Sequence, residues 1–471
     1  MHRSLWILFL ALILEKPLWA QNELPLSTYL QKIERQNSGF RSLSKSEEAT
    51  AAAQADAEIL TDPALFSDVT IAEDKRPLLT PQFNGTTRRA RTVKLGLQQQ
   101  WSFGLQNRVY VISDYQGISG AVAMQDPSMD IENRGAAVEL ELPLIKNGLG
   151  LQVRLQREAL QASAEGQKNL ANFDKARLRA EAQVLYIRLV QAQEHLAVHQ
   201  ELLRQGETLV TWVSGQVKDR LLEAVHLAQV QVALEARRLG LESRRLQLET
   251  TKMQFYAAIE EKTPFALPRL ETLNRLESSI TMPRNLSQRL DLKGRQNQVD
   301  AERAQLALER EAYRPDLSFR AQYHAFTKVS DQNDTARCDD PWKCSSSAIG
   351  LVFSMPLDRA VARRATEGRQ AQVEARVLEL ARAQIEAERD RRQIMEQINR
   401  LFDHQRILNK LISQQDERLR LERARQQRGR ATTFDLIQAE QELTESREQL
   451  ITLRSQRLEL LTQLKLYEVA P

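Results

Sequence analysis

Two cysteines, Cys338 and Cys344, bracket the loop CDDPWKC. A structural metal would need two more ligands close by, and the nearest histidine, His324, is fourteen residues from Cys338. In an exported chain the pair reads instead as a small disulfide-closed loop. Catalysis has little to work with elsewhere: the sequence holds no Gly-rich phosphate loop, no HExxH, no GxSxG and no cluster of His and Cys ligands. His199 lies in a heptad-like apolar run and reads as a packed or partly solvated histidine rather than a ligand. Glu/Arg pairs at helical spacing are solvated faces. No enzymatic activity and no cofactor are expected.

Other polar residues stand on alternating stretches. Glu139 and Glu141 alternate with Val138, Leu140 and Leu142; Arg320, Gln322 and His324 alternate with Phe319, Ala321 and Tyr323; Ile349, Leu351, Phe353 and Met355 mark a third run. A period of two with one apolar face fits a soluble one-sided sheet or a membrane barrel with lipid outside and water inside, and the pattern alone does not choose. Two arguments favour the barrel. Two hairpins have unprotected edges and too little apolar area for a soluble sandwich. Open edges cannot exist in lipid either, so identical chains closing a ring would solve both problems. Glu139, Glu141 and Arg320 would then face the lumen. From Val93 to Val111 the odd positions stay largely apolar for nineteen residues, about twice a barrel span of roughly 9–11. That stretch is either a strand projecting beyond the membrane or one bent at Ser102-Phe103-Gly104.

The elements that carry these residues are mostly long helices. Residues 1–20 read as a signal peptide, with Arg3 before the apolar run Leu5–Leu14 and a cleavage point after Ala20. The mature chain has no other long apolar run, so a helical membrane protein is not expected. Charged residues are 27% and aromatics 6%, a composition that suits helices in coiled-coil contact rather than a large globular core. The net charge of +4 is spread over interspersed Lys/Arg and Asp/Glu, which argues against nucleic-acid binding. Residues 147–211 contain no proline, and residues 358–425 repeat the pattern, each long enough for a helix of about 100 Å. Returning helices are expected at about 220–260 and 434–466, as antiparallel hairpins.

The design is written twice. Pro143 to Pro356 is an offset of 213, which lays Val138, Leu140 and Leu142 on Leu351, Phe353 and Met355. LLEAVHLAQVQ matches TTFDLIQAEQE at an offset of 211, and Ala49, Ala52, Ala55, Pro63 and Leu65 match Ala301, Ala304, Ala307, Pro315 and Leu317 at 252. The first half carries 39 more residues between its marker prolines, 80 from Pro63 to Pro143 against 41 from Pro315 to Pro356. The expected organisation is a first repeat over 21–263, a connecting segment over 264–290 punctuated by Pro264, Pro268 and Pro283, a second repeat over 291–467 and a tail over 468–471. Strands are expected at about 93–112, 134–142, 316–326 and 348–355, with helical hairpins at about 147–260 and 358–466.

The repeat, the strand-to-helix prolines in ELELPL and VFSMPL, the segment EAYRPDLSFRAQY and the turn RGRATTFDLIQAEQEL resemble the TolC family of outer-membrane efflux and export channels over nearly the whole mature chain. The resemblance implies a mainly α fold with a small β part. It implies a homotrimer with four strands per chain in a shared 12-stranded outer-membrane β-barrel, continued by a long periplasmic α-helical coiled-coil barrel. It also implies a passive conduit in a tripartite efflux or type I secretion system. Its partners would be a periplasmic adaptor (membrane fusion) protein, an inner-membrane transporter and outer-membrane lipid. The family's periplasmic aperture falls on the turns at about 214–225 and 427–437. Gly429 would permit the second reversal, Asp435 stands where the family carries an aperture aspartate, and Gln438 occupies the next aperture position. The first turn departs from the family, with Lys218 for a glycine and Ala224 for an acidic residue. The competing reading is a soluble exported coiled-coil scaffold or periplasmic adaptor, against which the two hairpins of nearly equal length count.

Overall fold

A computed structural model describes residues 23–76, 86–120, 128–262, 267–283, 289–330, 344–428 and 432–468. The expected leader, Pro264 and the end of the tail lie outside them. In chain order the elements are α1 (Leu26–Gln36), α2 (Ser38–Ile59), β1 (Ala64–Asp74), β2 (Thr87–Gln100), β3 (Gln106–Ser119), β4 (Ser128–Pro143), α3 (Leu151–Lys218), α4 (Ala224–Ile259), α5 (Leu273–Ser279), α6 (Leu290–Ala312), β5 (Asp316–Ser330), β6 (Ser345–Ser354), α7 (Arg359–Gln427) and α8 (Thr433–Leu464). The fold is mainly helical with one small antiparallel sheet. The long helices α3 and α7 run 68 and 69 residues, about 100 Å each at 1.5 Å per residue.

The repeat shows in the element boundaries. Ser38 to Leu290 opens α2 and α6 at an offset of 252, and Ala64 to Asp316 opens β1 and β5 at the same offset. In the returning helices, the inward positions Leu227, Val230 and Leu234 correspond to Leu436, Ala439 and Leu443 at an offset of 209, two residues short of the 211 read from the sequence. Several registers match one apolar-rich helix to another about equally well. Burial against neighbouring helices selects one.

Among the described residues the sheet has six strands in the order β1-β2-β3-β4-β5-β6, all antiparallel, where four are expected. The stretch at 93–112 is two strands, broken at the Ser102-Phe103-Gly104 bend that was one of its two readings. It folds back at Trp101–Leu105, where Trp101 N donates to Leu105 O (2.8 Å), Gly104 N donates to Trp101 O (2.8 Å) and Gly104 adopts φ +95°. A further strand, β1, follows Pro63 as β5 follows Pro315. The second repeat therefore holds the pair β5–β6, and the first holds its equivalents β1 and β4 with the β2–β3 hairpin inserted between them. The additional 39 residues of the first half belong to this insertion.

The described chain divides into two units. One comprises residues up to 45, 171–290 and from 384. Its core stacks Tyr29 on Phe255 (centroids 4.1 Å apart) beside Tyr186, and buries Leu273, Leu276, Ile280, Leu458 and Leu464. The connecting segment is part of this core: Thr272 caps α5, and Glu194 accepts a hydrogen bond from Leu273 N (2.8 Å). The other unit comprises residues 46–170 and 291–383 and holds the sheet and the helical segments joined to it. There α3 and α6 pack closely at Gly166 and Gly294, where a Cβ on either would meet the other's backbone oxygen at 3.1 or 2.9 Å.

Candidate channel wall and helical tip

In the second unit the strands sort their side chains by parity. Glu139 opposes Gln322 and Arg108; Glu141 opposes Arg320 and Gln106. All lie on one face with Lys94 and Tyr110. Arg320 Nη2 donates to Glu141 Oε1 (3.0 Å), the Tyr110 hydroxyl donates to Glu139 Oε1 (2.6 Å), Arg108 lies 3.8 Å from Glu139, and the Lys94 ammonium sits 5.2 Å over the Tyr110 ring. The sheet brings the three expected lumen residues together on one face, cross-linked by ion pairs and hydrogen bonds beside a small apolar cluster of Tyr110, Ile112 and Ala137.

The opposite face is apolar and uncovered. Leu65, Val69 and Ile71 of β1, Val93, Leu95 and Leu97 of β2, Val109 and Val111 of β3, Val138 and Leu140 of β4 and Ile349, Leu351 and Phe353 of β6 are all exposed, Ile71 to 78%. A contiguous apolar band of this kind marks contact with lipid or protein. At one end of it, in the β2–β3 turn, Trp101 and Phe103 are exposed side by side with ring centroids 6.0 Å apart, and the Trp101 indole donates to Asn107 (2.8 Å). That amphipathic placement suits a membrane–water boundary. Towards the other ends of β1–β4 both faces turn polar, with Arg89 paired to Glu73 (3.3 Å) and Arg134 to Glu132 (2.7 Å). Among the described residues no helix is long and apolar enough to cross a membrane.

In the first unit the tips of the long hairpins pack on each other through Leu209 and Val213 of α3, Val230 of α4, Leu419 of α7 and Leu436, Ala439 and Leu443 of α8. Below this cluster Arg237 donates to Glu440 (2.9 Å), both nearly inaccessible, and Arg423 donates to the same carboxylate (3.0 Å). Asp435 stands at the first turn of α8 in a capping box. The Thr432 hydroxyl donates to its Oδ2 (2.6 Å) while Asp435 N donates to Thr432 Oγ1 (3.2 Å). That hydroxyl holds the Asp435 carboxyl below the ordinary carboxylate range. One turn on, exposed Gln438 donates to Glu442 (2.9 Å). Gly429 lies outside the described residues. In the first turn Arg220 takes the left-handed conformation (φ 57°) two residues after Lys218, and Ala224 opens α4. Cys338 also lies outside the described residues; the carbonyl of Cys344, just before β6, accepts from Phe326 N (3.2 Å).

His199 is packed, but it is not alone. His195, one turn earlier, lies 3.3 Å from Glu448 Oε1, His199 Nε2 lies 2.9 Å from it and Arg244 Nη2 lies 2.8 Å from it. Burial on its own would raise the Glu448 pKa; the two histidine contacts and the Arg244 charge outweigh it and hold the carboxyl well below its usual range. The i,i+4 pair His195/His199 was legible in the sequence. Its partner, about 250 residues on, was not. Among the described residues no three His, Cys, Asp or Glu side chains are grouped to hold a metal ion.

Residues 282–467 match the family described as outer membrane efflux protein. No curated protein matches the chain. Among solved structures it is similar to the transmembrane channel protein CusC (TM-score 0.66, 14% identity, 94% of this chain and 92% of that one covered) and to the CmeC outer membrane channel of Campylobacter jejuni (0.62, 12%, 94% and 85%). It is similar too to the MtrE outer membrane channel of Neisseria gonorrhoeae (0.62, 14%, 94% and 88%). At these identities the likeness is one of fold.

Proposed function

We propose, for a chain whose second repeat matches the outer membrane efflux protein family and whose fold is similar to that of the CusC, CmeC and MtrE channels, that three copies form an outer-membrane channel with a large periplasmic part. The observation that carries this reading is the sheet, with an uncovered apolar face for lipid and a charged face for a water-filled lumen lined by Glu139, Glu141 and Arg320. The helices support assembly. Val232, Leu239, Leu246 and Met253 repeat every seven residues along α4 and are 54–74% exposed, a heptad seam left open by the described residues of its own chain. Copies of the same chain supply one.

The channel is a passive conduit that receives cargo from an inner-membrane transporter through a periplasmic adaptor, as part of a tripartite efflux or type I secretion system. Gly429, Asp435 and Gln438 lie at its periplasmic aperture. Three copies of Asp435 round a three-fold axis would repel one another and draw cations. Cys338 and Cys344 close an oxidised loop, and mass spectrometry finding two free thiols in the exported protein would remove it. The deciding experiment is electron microscopy of the native protein extracted by detergent from the outer-membrane fraction. A three-fold ring in a detergent belt, bearing a tube of about 100 Å, is expected. A monomeric rod recovered without detergent would refute the channel and leave a soluble scaffold.

A further inference from the structure

The inserted β2–β3 hairpin is built like wall, not like an appendage. Both of its strands are paired along both edges, β2 with β1 and β3, and β3 with β2 and β4. Both continue the two faces of the sheet: Leu95 and Val109 extend the exposed apolar face, while Lys94 and Arg108 extend the polar one. The hairpin turn is also locked to the connector between β4 and α3. A Cβ on Gly150 would lie 1.9 Å from Ser102 O, and one on Gly104 would lie 3.0 Å from Asn147 O, so the two backbones touch.

We infer that three copies close an outer-membrane barrel of eighteen strands, six from each, rather than the twelve implied by the family resemblance. The inference rests on the trimeric channel proposed above. Six is an even number, and the strands alternate in direction throughout, so β6 of one copy meets β1 of the next antiparallel and no edge is left in lipid. Width agrees as well. With strands about 4.8 Å apart and tilted about 40°, eighteen strands make a perimeter of about 110 Å and twelve one of about 75 Å. Each sheet is joined directly to four helices, α2, α3, α6 and α7, and twelve helices in a ring at about 8–10 Å spacing need about 95–120 Å. Eighteen strands match that ring without a constriction. The backbone diameter is then about 36 Å instead of about 24 Å.

The test is cryo-electron microscopy of the full-length protein in lipid nanodiscs, resolved well enough to count strands. Three copies with eighteen strands, β2 and β3 among them, are expected. A twelve-stranded wall made of three copies with β2–β3 outside it would overturn the inference and leave the channel reading standing. A twelve-stranded wall made of two six-stranded copies would overturn both the strand number and the trimer. A protein that does not enter nanodiscs would overturn the channel reading itself.

Discussion

Asp435 is tied to its own helix before it can act at an aperture. Its Oδ2 accepts from Thr432, so the residue serves as a cap whatever else it does. Substituting Asp435→Ala removes both cap and charge, at a cost of about 1 kcal/mol to the helix start, whereas Asp435→Asn removes the charge and keeps an acceptor. If the carboxylate draws cations, both variants lose divalent-cation block of the channel in planar bilayers; block retained by Asp435→Asn would leave Asp435 as a capping residue only. Glu448 carries the clearest pH dependence. Its folded-state carboxyl is held below the ordinary value of 4.5, so the stability it contributes is fully present above that pH and is lost as pH falls towards its folded-state value. Thermal melting followed by circular dichroism is expected to drop in that acid window, and Glu448→Gln to flatten the drop while lowering stability at neutral pH. An unchanged acid slope in the variant would assign the effect to other carboxylates.

At the scale of elements, the contact between the β2–β3 turn and the start of α3 depends on glycine. Gly150 adopts φ +74°, and a Cβ there would overlap the Ser102 carbonyl, while a Cβ on Gly148, two residues earlier, would meet nothing within 4 Å. The left-handed backbone alone costs an alanine about 1–2 kcal/mol, and the overlap adds to it by pushing the turn away. Gly150→Ala should therefore reduce the yield of assembled, heat-resistant oligomer on semi-native gels, with Gly148→Ala close to wild type. Equal yields would show that the turn moves aside freely. Of the two sequence readings of the stretch at 93–112, the bend at Ser102-Phe103-Gly104 holds, but a full reversal there into the β2–β3 hairpin was not legible, for a geometrical reason. Its pairs, such as Leu97 with Val109 and Gln100 with Gln106, join odd positions to odd and even to even. The alternation therefore runs through the turn without a break in phase, and two strands read as one long one.

At the scale of the whole molecule, the exposed heptad seam of α4 separates folding from assembly. Leu239 and Leu246 are 74% and 71% exposed in the single chain, so charging them leaves that chain's own core intact. In a trimer each buried leucine is worth about 1.5–3 kcal/mol. The double variant Leu239→Glu, Leu246→Glu should shift the detergent-solubilised protein from trimer to monomer by light scattering, with helix content preserved. A trimer that survives both charges would place the subunit contact elsewhere.

What the sequence determined by itself was whatever depends on local period and on repetition: long proline-free helices, strands of period two, the two-fold repeat, and prolines at matching corners. The period of a helix or strand is set within about 18 neighbouring residues and the repeat is read by laying the chain on itself, so neither signal needs a folded partner. The tertiary structure decided what depends on residues far apart in the chain. It chose the register of 209 between the returning helices through burial at Val230 and Ala439. It brought Glu448 to His195 and His199, and Glu440 to Arg237. It also divided one apparent strand into two and added β1, making six strands of four. Pairing between distant segments is fixed by which surfaces can be buried and which polar groups satisfied together, and a one-dimensional pattern does not carry that information.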